Sequence, residues 1–373
     1  MSPETRHLIE LTDAALAADY TRVRRAANAI ARELAEGGDL EAAHELRSLL
    51  RKKGVPLRAS GYVEQLPVDT KSRLPLVEEQ GWPSTPILLN RTAGATLQDF
   101  ISDVHHVEEL SRQGLSSRLC LLLSGPPGTG KSLLAGHVAS ALKRPLYVVR
   151  LDSMISSLLG DTAKNVRAIF DFAPAKGAVL FLDEMDAVAK LRDDRHELGE
   201  LKRVVNTVLQ GLDALDDRTV VIGATNHPQL LDRAIWRRFP YKISLGFPDR
   251  DVRTEMWRHF LFSDQQHEAA QHLAEISDGL SGADIETIAH TARRHSVLTK
   301  REIDLAGVAE AVVNSESGVP MLPPREMLSP DARRDLALRL SAKGLNAPKI
   351  AELLGVTRQW ALKLLKNEER GDG

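Results

Sequence analysis

The stretch Gly125-Pro126-Pro127-Gly128-Thr129-Gly130-Lys131-Ser132 constrains this chain more than any other. It follows the apolar run Leu119 to Leu123 and leads directly into Leu133-Leu134-Ala135-Gly136-His137-Val138, which has helical spacing. A strand, a glycine-rich loop and a helix in that order make a cradle for phosphate groups. Residues without a Cβ let the backbone turn successive N–H groups toward an anion. The helix N-terminus behind the loop adds its partial positive charge. In such a cradle residues 125–133 surround the phosphates, Lys131 reaches the β and γ oxygens, and Ser132 offers its hydroxyl to Mg²⁺.

A chain of 373 residues exceeds one ordinary core, so two or three domains are expected. Its 43% hydrophobic and 27% charged residues describe a soluble globular protein. A formal charge of −2 gives no global attraction to nucleic acid or membrane, so any such contact has to come from a local patch. The single cysteine, Cys120, lies in the apolar strand before the loop; it reads as core packing in a reducing compartment. The first residues lack a basic-then-apolar layout and no run is long enough to cross a bilayer. A cytoplasmic location without a membrane partner is therefore the expectation.

Residues 1–53 carry apolar side chains at helical spacing (Leu8, Leu11, Ala15, then Val23, Ala27, Ile30, Leu34), broken at Gly37-Gly38-Asp39. They read as a helical N-terminal bundle, and a solvated bundle or an adaptor-docking module fits equally. Prolines 56, 67, 75, 83 and 86 mark residues 54–95 as a linker. A helical pattern returns over 96–110. Beyond the loop helix come a β-rich run from Pro145 to Leu151, a helix from about Asp161 to Phe172, and two continuous apolar strands, Gly177 to Glu184 and Thr219 to Asn226. Continuous apolarity marks strands covered on both faces. Residues 96–247 thus read as an α/β domain, an αβα sandwich on a parallel sheet, with its site at the C-terminal strand ends. The pattern is purely helical over 248–317, an all-α lid. Residues 318–330 hold Pro320, Pro323, Pro324 and Pro330 and read as a second linker, before a small helical domain with its own core at 331–373.

Phosphoryl transfer requires a cradle, a metal and an oriented water. Asp183, at a strand end, is the expected metal partner beside Ser132, and Glu184 is placed to polarise the attacking water. Adjacent carboxylates at a strand end also serve as helix caps. Asn226 can bond the same water or the γ-phosphate, or sit in an ordinary turn.

Taken together, Gly125 to Ser132, Val179 to Asp186 and Thr219 to Phe239 resemble the core of the AAA+ ATPases, and the last stretch is similar to the second region of homology of the AAA family proper. The resemblance covers roughly residues 96–315. It implies a Mg²⁺-dependent ATPase working as a homo-oligomeric ring, a hexamer, on a protein partner. It assigns Asn226 to sensor 1 and Arg237 and Arg238 to a pair of arginine fingers serving the neighbouring subunit, where a solvated surface pair is the alternative. Ser281-Gly282-Ala283-Asp284 resembles the segment in which Gly282 and Ala283 approach the nucleotide. Ser156 to Asp161 aligns with the first pore loop, but Ser157 stands where a basic residue is usual and Leu158 where an aromatic is usual, which weakens the case for processive threading. The compact layout is also similar to bacterial ATPases paired with a subtilisin-like serine protease in phage defence; the protease would be a separate polypeptide.

Residues Ala347 to Lys366 look like a helix-turn-helix, with Gly355 at the turn, Thr357 as cap, and Ile350, Ala351, Leu354, Val356, Ala361 and Leu364 as packing positions. Arg358, Gln359, Lys363 and Lys366 would line the second helix, the groove-entering element in DNA-binding examples. The same unit also serves protein contacts. DNA binding through residues 331–373, with ATP state switching assembly, is therefore the alternative function.

Overall fold

The computed structural model describes residues 7, 9–13, 20–37, 39, 42–44, 66–69, 75–115, 117–151, 162–187, 198–265 and 267–368. They belong to two compact units, Met1–Gln65 and Leu66–Gly373. The pore-loop residues Ser157 and Leu158 lie outside the described residues. In the first unit the described portion holds the helix Tyr20–Glu36, whose Ala26, Ala27 and Ala31 are buried.

The second unit is built on a six-stranded sheet: β1 (Glu78–Gln80), β2 (Cys120–Ser124), β3 (Leu146–Arg150), β4 (Val179–Asp183), β5 (Val220–Thr225) and β6 (Tyr241–Ser244), in the order β1-β3-β4-β5-β2-β6. All pairings are parallel except that of β1 with β3. Side chains alternate between two cores, as the period of a strand requires. Cys120, Leu122, Leu180, Leu182 and Val221 enter one core with the helices Thr162–Ala175 and Leu198–Ala214. Leu121, Leu123, Val179, Phe181, Val220 and Ile222 enter the other with Arg91–His105 and Lys131–Leu142. That double cover explains the continuous apolarity of these strands, since each buried Leu or Val contributes about 1.5–3 kcal/mol on either face. From β2 the chain leaves through the helix Lys131–Leu142 and returns at β3, beyond β5 and β4, which opens a crevice at the C-terminal end of β2.

Two boundaries differ from the sequence reading. The expected linker 54–95 contains β1 and the buried Val77, and Asn90 caps the helix Arg91–His105 by accepting from the Ala93 N–H at 2.9 Å, so this helix starts five residues before Thr96. Further along the same segment, the Trp82 indole donates to the Arg144 carbonyl at 3.0 Å and His137 Nε2 lies 2.8 Å from the Thr85 carbonyl oxygen, tying it to the loop helix and the turn behind it. A three-residue edge strand shows no period, and prolines suit a segment held by side chains rather than by its own N–H groups.

The second difference lies in the helical half. The lid helices Arg250–Phe262, Glu268–Ile276, Gly282–Thr299 and Leu305–Asn314 are followed by Pro330–Ala342, Ala347–Leu354 and Arg358–Glu368. The last three have no core of their own. Leu336, Leu340, Ile350 and Leu353 share one core with Trp257, Leu273, Ile288 and Val308. Lys349 Nζ donates to both Glu275 oxygens at 2.7 Å and His272 Nε2 lies 3.0 Å from Glu352 Oε2 across the same junction. The segment 318–330 is a folded connector: the Gly318 N–H donates to Asp284 Oδ2 at 3.2 Å and the Met321 N–H to Ser315 Oγ at 2.8 Å. Among the described residues no helix is long and apolar enough to cross a membrane.

Candidate functional site

A pocket of about 420 Å³ opens at the C-terminal ends of β2, β4 and β5. Residues 127–133, Asp183, Glu184 and Asn226 line its sheet side; Met256, Phe260, Gly282, Ala283 and Glu286 line its lid side; residues 85–88 close the edge. Three stretches chosen from sequence therefore meet in one place. The volume lies within the range of small-molecule sites.

Lys131 is 8% exposed, and its ammonium donates to the Gly125 and Pro126 carbonyl oxygens at 2.8 Å each. Gly125 and Pro126 thus shape the lysine rather than the pocket wall. Burial pushes the Lys131 pKa down, opposed by the carboxylates of Asp183 and Asp186. Ser132 Oγ donates to Asp183 Oδ2 at 3.4 Å. These two hard oxygens side by side suit Mg²⁺, which is typically held by one or two protein oxygens together with phosphate and water. Among the described residues no group of three or more His, Cys, Asp or Glu side chains could hold a metal by itself.

Glu184 follows the strand with φ of 54°, the left-handed region a residue with a Cβ seldom enters, and its N–H donates to Asp183 Oδ1 at 2.9 Å. This turn keeps both carboxylates at the pocket rather than along a following helix. Asp186 escaped the sequence analysis although it is the third acid of Asp183-Glu184-Met185-Asp186. It is 2% exposed and accepts from Thr225 Oγ1 at 3.0 Å and the Asn226 N–H at 3.2 Å, which fixes the tip of β5 against that of β4.

The lid meets the loop directly. Ser281 and Asp284 form a reciprocal capping box at the start of Gly282–Thr299. The Ala283 N–H then donates to the Gly128 carbonyl at 3.1 Å. Gly128 has φ of 76°, and a Cβ there would lie 2.6 Å from Ser281 Oγ, so glycine is required for the approach. Residues 85–88, Met256, Phe260 and Glu286 were not found from sequence, since no motif joins them.

The two arginines separate. Neither lines the pocket of its own chain. Arg238 donates through Nε and a terminal nitrogen to the two Asp213 oxygens at 3.0 and 2.7 Å, and through the other terminal nitrogen to the Ala234 carbonyl at 2.8 Å. Its guanidinium is thus bonded inside its own subunit, unlike that of Arg237 next to it. Arg237 is exposed.

A parallel sheet in this order, with a phosphate loop, strand-end carboxylates and a helical lid, defines a P-loop nucleoside-triphosphatase domain. Residues 121–247 match the family model described as "ATPase family associated with various cellular activities (AAA)", so the chain contains an AAA-family ATPase domain. Proteins of this family bind ATP with Mg²⁺ as a rule and generally form hexameric rings that act on protein substrates. The chain is 36% identical over 217 residues to the uncharacterized AAA family ATPase y4kL of Sinorhizobium fredii, covering 58% of this chain and 66% of that one. It is 33% identical over 235 residues to the ATP-dependent zinc metalloprotease FtsH 2 of Bdellovibrio bacteriovorus, covering 59% and 38%. It is 36% identical over 180 residues to Fidgetin-like protein 1 of Drosophila melanogaster, covering 46% of this chain and 34% of that one. The match thus spans less than two thirds of each relative's length. The crystal structure of the FIGL-1 AAA domain in complex with ADP superposes with a TM-score of 0.50 at 27% identity, covering 60% of this chain and 77% of that one.

Proposed function

We propose that this chain hydrolyses ATP with Mg²⁺ in a homo-oligomeric ring, a hexamer, and couples hydrolysis to remodelling a protein partner. The observation that carries the reading is an incomplete set of cations. Among the described residues Lys131 is the one cationic side chain on the pocket wall, while Arg237 stands exposed outside it. Residues 127–133 would hold the triphosphate, Ser132 and Asp183 the metal, and Gly282 and Ala283 the nucleotide from the lid side. Glu184 takes a proton from water as it attacks the γ-phosphorus; the bond to the β-γ bridging oxygen breaks, giving ADP and phosphate. Asn226 holds the same water or a γ oxygen. Mg²⁺ held by Ser132 and Asp183 would supply positive charge against the phosphate oxygens. Arg237 of a neighbouring copy supplies the remaining positive charge, and Arg238 positions the segment that presents it. Arg237→Ala protomers mixed with Lys131→Ala protomers test this: activity returns at interfaces that pair an intact finger with an intact cradle, and mixtures as inactive as either variant alone would reject action in trans.

The sequence of the pore-loop segment, with Ser157 and Leu158, supports local remodelling over processive threading. A separate subtilisin-like protease in phage defence is the partner that the layout suggests; capture experiments with Glu184→Gln in ATP that return no protease would remove it. A second reading, DNA docking, is favoured by one observation: Arg358, Gln359 and Lys363 are exposed on Arg358–Glu368 behind the Thr357 cap. Lys349 and Arg339 are engaged in ion pairs and do not add to that face. Salt-sensitive DNA binding lost in the Arg358→Ala, Lys363→Ala double variant would support it.

A further inference from the structure

Three carboxylates line the pocket, and two of them, Asp183 and Glu184, stand at the phosphate end with assigned tasks. The third, Glu286, stands on the lid helix Gly282–Thr299 and has none. A carboxylate on the wall of a polyphosphate site opposes binding by like charge, so its presence calls for a donor on the ligand.

Its place along the pocket identifies that donor. Ala283 is pinned to the phosphate loop by the bond to the Gly128 carbonyl at 3.1 Å. Glu286 lies three residues further on the same helix, about 4.5 Å along the axis at 1.5 Å per residue. That step is roughly the span from the α-phosphate to the ribose ring. The rest of the wall is largely apolar, with Phe260 against His290 one turn further along, Met256 packed beside Gly282, and Ile87 beside Gly130 across the pocket, which suits the flat face of a base. Glu286 is held from behind: His290 Nδ1 lies 3.8 Å from its Oε1, and the His290 ring packs edge-on to Phe260 with centroids 5.7 Å apart.

The geometry points to Glu286 as the acceptor for the ribose 2′ and 3′ hydroxyls, making the chain selective for ribonucleotides over 2′-deoxynucleotides. An ionised carboxylate accepts only, and its two oxygens match a pair of neighbouring hydroxyls. The same pairing of an acidic residue with a ribose hydroxyl recurs in unrelated dinucleotide sites. The inference rests on the nucleotide reading above and sharpens it at one residue.

The test is equilibrium binding of ATP and 2′-deoxy-ATP to the full chain. Hydrogen bonds to charged groups discriminate by about 10–100-fold when buried. With the Glu286 side chain 39% exposed, the ratio should fall to about 3–10-fold in favour of ATP. Glu286→Ala should bring the ratio to about 1 by weakening ATP, which loses both hydroxyl bonds, more than 2′-deoxy-ATP, which has only the 3′ bond to lose. Glu286→Gln, which keeps the volume and one acceptor, should fall between and serves if the alanine variant does not fold. A wild-type ratio of about 1, or a ratio that survives both substitutions, overturns the inference and leaves the nucleotide reading standing. Absence of ATP binding by the wild-type chain overturns both.

Discussion

The two ends of the pocket are made in different ways. The phosphate end comes from neighbouring strand tips whose relative heights are set by register: Leu123 pairs with Ala224, and Leu182 with Gly223. Its three parts sit at the tips of strands paired in one sheet, are bonded to one another through Ser132 to Asp183 and Asn226 to Asp186, and include a backbone conformation at Glu184 that costs on the order of 1 kcal/mol or more. The nucleoside end is assembled from residues 85–88, Met256 with Phe260, and 282–286, three stretches that meet because the lid folds back over the sheet. One backbone bond, Ala283 to Gly128, joins lid to loop. The rigid end is suited to chemistry, and the assembled end to registering whether a nucleoside is present.

The contrast breaks most readily at the rigid end. Glu184→Gln should slow hydrolysis by about 10²–10⁴-fold with ATP affinity retained, read as single-turnover rate beside equilibrium binding. Near-normal turnover would take Glu184 out of the chemistry. Lys131→Ala should weaken both ATP and inorganic tripolyphosphate by about 10²-fold or more, because the lost contacts are charge-assisted. At the assembled end Met256→Ala should weaken ATP by about 3–10-fold and leave tripolyphosphate unchanged; equal losses for both ligands would erase the distinction between the ends. The smallest effect belongs to the opposite edge of the sheet, where Arg118 and Arg238 precede β2 and β6 and both donate to Asp213. Hydrogen bonds from Arg238 and Arg118 hold the Asp213 carboxyl down at about 2, below its ordinary 3.8. A depressed carboxylate pKa stabilises the fold above the ordinary value, and that contribution is lost as pH falls from 3.8 toward 2. Asp213→Asn should lower Tm by about 1–3 °C at neutral pH and flatten the decline of Tm with acid in that window.

Legibility followed the same division. The loop, the strand-end acids and Asn226 were readable because each lies at the end of an apolar run whose period marks a covered strand. Asp186 carried a signal, an acid two residues beyond an acidic pair, but its task depends on a partner strand 39 residues away in sequence. Glu286, Met256 and Phe260 look like ordinary positions on amphipathic helices; only the packing of the lid against the sheet brings them onto one pocket wall. The proline segments misled in both places for one reason. Proline removes a donor and breaks periodicity, which resembles a free tether, yet here side chains and neighbouring backbone hold the segment. A helix pair with a turn was visible near the C-terminus, whereas the sharing of its core with the lid was not, because periodicity shows that a face is buried and not what buries it.

That shared interior has a mechanical consequence. With Leu336, Leu340 and Leu353 sealed against Trp257 and Leu273, the three terminal helices are yoked to the lid and travel wherever it tilts. Cargo fastened to Arg358–Glu368 would ride on a lever whose fulcrum is the phosphate loop, with no joint between motor and load. Clipping the chain after Pro330 would strip the inner wall from the lid as well as remove the handle.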